Sequence, residues 1–132
     1  MREAEKLTNL TVLVVDDQPG ILRLLKDALE LKRYRVFVAT NVHQALDLVK
    51  EKRPDLVILD ISLGGQSGLT LAQDIKALWP KIKVVFITAY SEEELLNKAQ
   101  EIAESVLIKP FGIETLYQEI QKVAARAIGN CV

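Results

Sequence analysis

The sequence is short of the residues that build disulfides and soft-metal sites. It has one cysteine, Cys131, and one histidine, His43, among 132 residues. A single thiol cannot form an internal disulfide. One Cys and one His are also too few to form a zinc site from Cys and His ligands. We therefore expect a fold held by its hydrophobic core, a reducing cytoplasmic compartment, and a solvated surface position for His43.

An excess of charge of one sign and long hydrophobic runs are also missing. Seventeen basic and eighteen acidic residues give a formal net charge of −1, so direct nucleic-acid or membrane binding has no electrostatic support. No apolar run approaches the roughly 20 residues of a membrane span, and the polar start lacks the apolar core of a signal peptide. We predict an N-terminal extension over residues 1–10, one domain over 11–128 and a tail over 129–132.

Five short apolar or β-branched runs predict strands, and segments with helical periodicity follow each of them. The predicted strands cover residues 11–15, 34–39, 55–59, 82–87 and 106–108. Four of these runs contain continuous apolar blocks, which are typical of strands buried on both faces of a parallel sheet. The helical segments start near Pro19, Asn41, Ser67, Ser91 and Ile113. This alternation predicts an α/β fold with a doubly wound, five-stranded parallel sheet and five helices.

Polar side chains stand at the carboxyl ends of the predicted strands, where such sheets bind ligands. They are Asp16 and Asp17 after the first strand, Asp60 after the third, Thr88 after the fourth and Lys109 after the fifth. A lone Asp at the end of a strand is more often a helix cap or a loop residue. The evidence for a functional site is therefore the grouping of all five side chains at one edge. Three carboxylates at one edge repel each other, and one lysine cannot neutralise them. Because the donors are oxygens, Mg²⁺ is favoured over Zn²⁺.

A carboxylate beside such a cation can act as a nucleophile and form an acyl phosphate. Phosphoryl transfer requires mainly in-line positioning and neutralisation of charge. This chemistry makes Asp60 a candidate nucleophile, with Mg²⁺, Lys109 and the Thr88 hydroxyl each able to contact one oxygen of a phosphoryl group.

The segments VLVVDD, VILD, ITA and IKPF, in this order and spacing, resemble the receiver domain of two-component response regulators. The resemblance implies a flavodoxin-like fold with strand order 2-1-3-4-5. It also implies that Asp17, Asp60 and the backbone carbonyl of Ser62 bind Mg²⁺, that Asp16 assists through water, and that a cis peptide precedes Pro110.

The same resemblance implies the partners. The phosphoryl group would come from a phosphohistidine of a sensor histidine kinase or a histidine phosphotransfer protein. The fourth helix, fifth strand and fifth helix would form the face that signals to a downstream protein target or output domain. Such a domain assists its own phosphorylation and dephosphorylation but is not an enzyme with an independent substrate.

Three positions depart from the family pattern. Leu63-Gly64, followed by Gly65, replaces a common Met-Pro pair, so we expect a more mobile loop and weaker Mg²⁺ binding. Val106 stands where an aromatic residue is usual, which puts the usual aromatic switch in question. The segment from Thr88 to Lys109 is one residue shorter than is common, and residues 103–105 lack the usual helix-ending glycine. We therefore predict an altered junction between the fourth helix and the fifth strand.

Other functions fit the sequence less well. A pseudo-receiver that binds partners without phosphorylation is the main alternative, and a small α/β phosphohydrolase is weaker. A dehalogenase-type phosphatase requires a second Asp where Ser62 stands, and GGQSG lacks the Gly-Lys-Ser/Thr of a P-loop. Tyr90 is interpreted either as a shield for the site or as an exposed loop residue.

Overall fold

Strands and helices alternate along the chain in the computed structural model, which describes residues 10–89 and 93–129. The strands are β1 (Thr11–Val15), β2 (Arg35–Ala39), β3 (Leu56–Asp60), β4 (Ser62–Leu63), β5 (Gln66–Ser67), β6 (Lys83–Thr88) and β7 (Ser105–Ile108). The helices are α1 (Pro19–Leu31), α2 (Val42–Lys52), α3 (Gly68–Leu78), α4 (Glu93–Ile102) and α5 (Ile113–Gly129). All five predicted strands and five predicted helices are present.

The main sheet has five parallel strands in the order β2-β1-β3-β6-β7. The short strands β4 and β5 form a separate antiparallel pair. Without that pair, the order is the predicted 2-1-3-4-5, and the predicted flavodoxin-like α/β fold is confirmed.

The core lies on both faces of the sheet, which explains the continuous apolar runs. In β3, Val57 and Leu59 belong to the cluster that includes residues of α2 and α3. Leu56 and Ile58 belong to the opposite cluster, which includes residues of α1 and α5. Successive strand residues point to opposite faces. A strand covered on both sides must therefore be apolar at every position.

Side-chain caps fix the starts of α2 and α3. The Asn41 side chain accepts a hydrogen bond from the backbone N–H of Gln44 at 2.9 Å, as its predicted capping role requires. Ser67 caps α3 by accepting from the backbone N–H of Thr70 at 3.3 Å. The predicted cap Ser91 lies outside the described residues, as does Tyr90.

Glu104 closes the junction between α4 and β7, where the sequence lacks the usual glycine. Its backbone N–H donates to the carbonyl of Val84 at 2.9 Å, and its carboxylate accepts from the Val84 N–H at 2.6 Å. The same carboxylate forms an ion pair with Lys76 of α3. Glu104 therefore joins α3, the start of β6 and the end of α4. Val106, two residues later, is partly buried and packs against the core cluster that contains Phe86 and Ala99.

Within residues 10–89 and 93–129, no helix has both the length and the apolar character needed to cross a membrane.

Candidate functional site

The ends of four strands gather the predicted side chains at one edge of the main sheet. Asp16 directly follows β1 and Lys109 directly follows β7, while Asp60 and Thr88 are the last residues of β3 and β6. Pairing therefore extends one residue further along β3 and β6 than the sequence predicted. The Ile61 N–H continues the β3–β6 ladder by donating to the Ile87 carbonyl at 3.3 Å.

Lys109 binds two carboxylates at this edge. Its Nζ lies 3.0 Å from Oδ2 of Asp60 and 3.4 Å from Oδ2 of Asp16. Its backbone N–H donates to the carbonyl of Thr88 at 2.7 Å, and the peptide bond that joins it to Pro110 is cis. The structure thus brings Asp16, Asp60 and Lys109 into direct contact, with the backbone of Thr88 beside them.

The second oxygen of each carboxylate is held by the loop that follows it. Oδ1 of Asp16 accepts from the backbone N–H of Gln18 at 2.9 Å. Oδ1 of Asp60 accepts from the backbone N–H of Ser62 at 3.0 Å. Because both oxygens of each side chain are bonded, contacts within the protein fix the orientation of the two carboxylates.

Burial shapes the electrostatics of these three groups. Asp16 is fully buried, and desolvation raises the pKa of its carboxyl group despite the Gln18 N–H and the charge of Lys109, which lower it. Desolvation also lowers the pKa of Lys109. The hydrogen bond and charge of Asp60, with the charge of Asp16, outweigh that effect and raise this pKa above its ordinary value. One protonated lysine therefore faces two carboxyl groups, so carboxyl groups outnumber ammonium groups in this cluster.

The remaining predicted residues surround this centre. Asp17 is exposed, and its Oδ2 lies 3.5 Å from the position that a Cβ atom on Gly64 would occupy. Thr88 is fully buried. His43 is exposed on α2, with its ring 3.5 Å from the Asp47 carboxylate, which supports its interpretation as a surface residue.

The loop after Asp60 is a short hairpin, which the sequence reasoning missed. Ser62 pairs with Ser67 and Leu63 with Gln66, and Gly64 and Gly65 form the two-residue turn between them with φ of 56° and 90°. Positive φ at both positions is typical of a type I′ turn, for which a Gly-Gly pair between extended residues is a known signal. The glycines thus form a defined turn. This removes the physical reason for expecting a mobile loop and weaker Mg²⁺ binding.

The turn conformation decides which substitutions at Gly64 are tolerated. Proline fixes φ near −65°, so Gly64→Pro cannot keep the hairpin that contains Ser62. Asparagine tolerates left-handed φ and is favoured at this position of a type I′ turn. We expect Gly64→Asn to leave the Mg²⁺ dissociation constant within about threefold of wild type and Gly64→Pro to weaken binding about tenfold or more. Isothermal titration calorimetry measures the Mg²⁺ dissociation constants of both variants. Equal affinities for the two variants would contradict the prediction.

A second glycine lets the chain close tightly behind Asp60. A Cβ atom on Gly68 would lie 2.0 Å from the carbonyl oxygen of Asp60 and 3.0 Å from Cα of Ile61. The Gly68 N–H donates to the carbonyl of Ile61 at 2.6 Å. Helix α3 therefore begins in contact with the backbone that presents Asp60. The sequence reasoning overlooked Gly68, whose lack of a side chain permits this close approach.

The donor set suits a hard cation. Across the described ranges 10–89 and 93–129, no three His, Cys, Asp or Glu side chains are grouped closely enough to hold a metal by themselves. Mg²⁺ commonly uses one or two carboxylates and completes its shell with water and phosphate oxygens. Carboxylates at the ends of β1 and β3 match these preferences of Mg²⁺, and the site lacks the Cys and His ligands that are typical of Zn²⁺.

Comparison with known proteins identifies the family. The model of the response regulator receiver domain matches residues 12–121. The chain belongs to the response regulator receiver domains. Membership makes it a signalling domain, and the predicted resemblance to two-component receivers is confirmed. Receiver domains generally bind Mg²⁺ and work with histidine kinases or phosphotransfer proteins.

Two curated relatives show the range of receiver architectures that the chain matches. It is 36% identical over 117 residues to sporulation initiation phosphotransferase F of Bacillus subtilis, covering 88% of this chain and 94% of that protein. It is 35% identical over 121 residues to the phosphate regulon transcriptional regulatory protein PhoB of Pseudomonas aeruginosa, covering 88% of this chain but 52% of the regulator.

Solved structures agree with the receiver fold. A receiver domain protein from Methanospirillum hungatei superposes with a TM-score of 0.88 over 92% of this chain and 98% of that one, at 24% identity. The response regulator TrrA of Thermotoga maritima, solved with Mg²⁺ and BeF, gives a TM-score of 0.79 at 34% identity, over 86% of this chain and 98% of that one.

Proposed function

We propose that this receiver domain takes a phosphoryl group onto Asp60 from a phosphohistidine of a sensor histidine kinase or a histidine phosphotransfer protein, in a Mg²⁺-dependent reaction. The observation that supports this most directly is the Lys109 ammonium, 3.0 Å from Oδ2 of Asp60 and also bound to buried Asp16. A cation held at the edge of a reactive carboxylate is the arrangement that phosphoryl transfer requires.

The transfer itself is a substitution at phosphorus. An oxygen of the Asp60 carboxylate attacks, the new O–P bond forms, and the P–N bond to the donor imidazole breaks. Lys109 neutralises one phosphoryl oxygen and the Thr88 hydroxyl donates to another. The bond from the Ser62 N–H to Oδ1 of Asp60 holds the carboxylate in place during attack.

The metal would be held by Asp17, Asp60 and the Ser62 carbonyl, with Asp16 acting through water. The excess of carboxylate over ammonium at this edge favours binding of a divalent cation. Bound there, Mg²⁺ supplies further neutralisation of the phosphoryl charge.

The output surface is assigned to α4, β7 and α5 within a receiver unit covering residues 11–128, in the cytoplasm. Ile108 and Ile113 support this assignment, because they are 44% and 38% exposed where β7 leads into α5. Apolar side chains left exposed on such a surface are suited to contact with a downstream protein target or output domain. The domain assists transfer onto Asp60 and its later loss, and it has no independent substrate.

Phosphorylation by a small-molecule donor tests the assignment of Asp60. Incubation with acetyl phosphate and Mg²⁺ is expected to add one phosphoryl group, stable in acid and labile in base, that intact-mass spectrometry detects. The adduct should be lost in Asp60→Asn and in the presence of a chelator. The control Asp74→Asn, on the exposed surface of α3, should be labelled like wild type.

Two outcomes would contradict the proposal. Labelling of Asp60→Asn at the wild-type level would place the phosphoryl group elsewhere. An unmodified wild-type protein, under conditions that label a control receiver, would favour a pseudo-receiver that binds partners without phosphorylation. Repeated turnover of an added phosphate ester would instead indicate a phosphohydrolase.

A further inference from the structure

An open groove lies at the end of the sheet opposite Asp60. It is lined by residues 53–55, which lead into β3, and by residues 78–82, which lead from α3 into β6. These connections approach the amino ends of the strands, whereas Asp60 and Thr88 stand at the carboxyl ends. The groove therefore shares no residue with the proposed phosphorylation site.

The floor of the groove is apolar. Leu78, the last residue of α3, is 62% exposed, and Trp79 beside it is half-buried. Pro54 and Ile82 are buried beneath the opening. An exposed leucine next to a tryptophan, over a buried apolar base, has the composition of a binding surface rather than of an ordinary solvated loop.

The rim of the groove is positively charged. The Arg53 guanidinium lies 4.8 Å from the centre of the Trp79 ring, and its Nε donates to the carbonyl of Lys50 at 3.2 Å. These contacts, together with a left-handed backbone at φ 46°, fix its position. In the part of the chain that the structure describes, neither Arg53 nor Lys81 forms an ion pair with a carboxylate. Asp55, the acidic residue of the lining, accepts a hydrogen bond from the Thr11 N–H at 2.9 Å.

We propose that this groove binds a segment of a partner protein that has a large apolar side chain flanked by carboxylates. The apolar side chain packs on Leu78 and Trp79, and the carboxylates pair with Arg53 and Lys81. Tryptophan and arginine are the residues most often found at the energetic centre of interfaces, and a fixed arginine loses little entropy when it binds. Nucleic acid fits less well, because Arg53 already covers one face of the Trp79 ring and the whole chain has a net charge of −1.

Trp79 lines the groove and is the single tryptophan of the chain, so its fluorescence emission reports binding in the groove. We would titrate the full-length protein with the synthetic peptide Glu-Asp-Glu-Phe-Leu-Glu-Asp-Glu and follow tryptophan emission. A saturable change in emission is expected. Leu78→Ser should weaken binding about tenfold, because contact with the leucine is lost. Lys81→Glu should weaken binding about fivefold or more, and added salt should reduce the difference.

Matched controls distinguish binding in this groove from nonspecific binding of the peptide. Leu31→Ser removes a leucine that is 80% exposed at the end of α1, outside the groove, and it should bind the peptide like wild type. A peptide with lysines in place of the acids should not bind. Treatment with acetyl phosphate should leave the affinity unchanged, so failure here and failure of Asp60 phosphorylation are separate results.

Several outcomes would overturn the proposal. They are no saturable change up to millimolar peptide, equal losses in Leu31→Ser and Leu78→Ser, equal binding of the basic peptide, and tighter binding of an RNA or DNA oligonucleotide. Emission that depends on protein concentration without peptide would assign the groove to a second copy of this chain.

Discussion

Replacing Gly68 with alanine is expected to lower the free energy of unfolding by about 3 kcal/mol and to slow phosphorylation of Asp60. The added Cβ atom would lie 2.0 Å from the Asp60 carbonyl oxygen, which is a backbone atom and cannot swing aside as a flexible side chain would. Either α3 withdraws from the end of β3 or the backbone of Asp60 is displaced. Both changes disturb the carboxylate that Lys109 binds.

Gly20→Ala is the matched control for this prediction. Gly20 lies in the first turn of α1, and a Cβ atom there meets nothing within 4 Å. Alanine is the better helix former, so stability should stay unchanged or rise by up to about 1 kcal/mol. Urea unfolding of both variants and the rate of labelling by acetyl phosphate test the contrast. A Gly68→Ala protein as stable and as reactive as wild type would contradict the close contact.

Replacing Lys109 with methionine is expected to lower the free energy of unfolding by about 2–3 kcal/mol when Mg²⁺ is absent. Methionine keeps the apolar stem but removes the ammonium from between Asp16 and Asp60. Asp16 is fully buried, so its charge then has no cationic partner among the described residues. Chemical unfolding in the presence of a chelator measures the loss.

Two further variants isolate the electrostatic cause. Adding Asp16→Asn to Lys109→Met should restore most of the lost stability, because the unpaired buried charge is gone. Lys26→Met is the control, since Lys26 pairs with Glu30 at 2.9 Å on the exposed face of α1 and should cost no more than about 0.5 kcal/mol. Equal losses in Lys26→Met and Lys109→Met would contradict the argument.

The loss of unfolding free energy caused by Lys109→Met should also depend on pH. Burial already raises the pKa of Asp16, so this carboxyl group favours the folded state when protonated and opposes it when ionised. Without Lys109 the pKa rises further. The loss of stability should therefore be largest near neutral pH and should shrink as the pH falls and Asp16 takes up a proton. A deficit that is independent of pH would assign the effect to packing.

The sequence predicted the sheet well because apolar blocks and strand-end side chains are local signals. The run that ends in Asp60 is continuous because both faces of β3 are covered, and that pattern is visible in one dimension. Asp16, Asp60 and Lys109 could be grouped because parallel strands present their carboxyl ends at one edge. Their ion pairs, at 3.0 and 3.4 Å, show that these three side chains do lie together at that edge.

The missed features depend on backbone conformation or on contacts between distant residues. The pair Gly64-Gly65 signals a tight turn only when extended residues flank it, and the flanking strands β4 and β5 have two residues each, too few to show a strand pattern in the sequence. Gly68 was overlooked because the atom it accommodates, the Asp60 carbonyl oxygen, lies eight positions away across the hairpin. The sequence shows that α4 lacks a terminal glycine, but it does not show that Glu104 replaces it, because Lys76 and Val84 are brought together only by the fold.

The Glu104 contacts limit how this domain can be recombined with related ones. A chimera that takes α4 and β7 from this protein but α3 from another receiver would transplant a half-buried carboxylate without the lysine that neutralises it. The reverse exchange would leave the Val84 N–H without its acceptor. In this chain the natural unit of exchange therefore begins no later than Lys76 and extends through Glu104, so α3 must move together with the end of α4 and the start of β6 that it contacts.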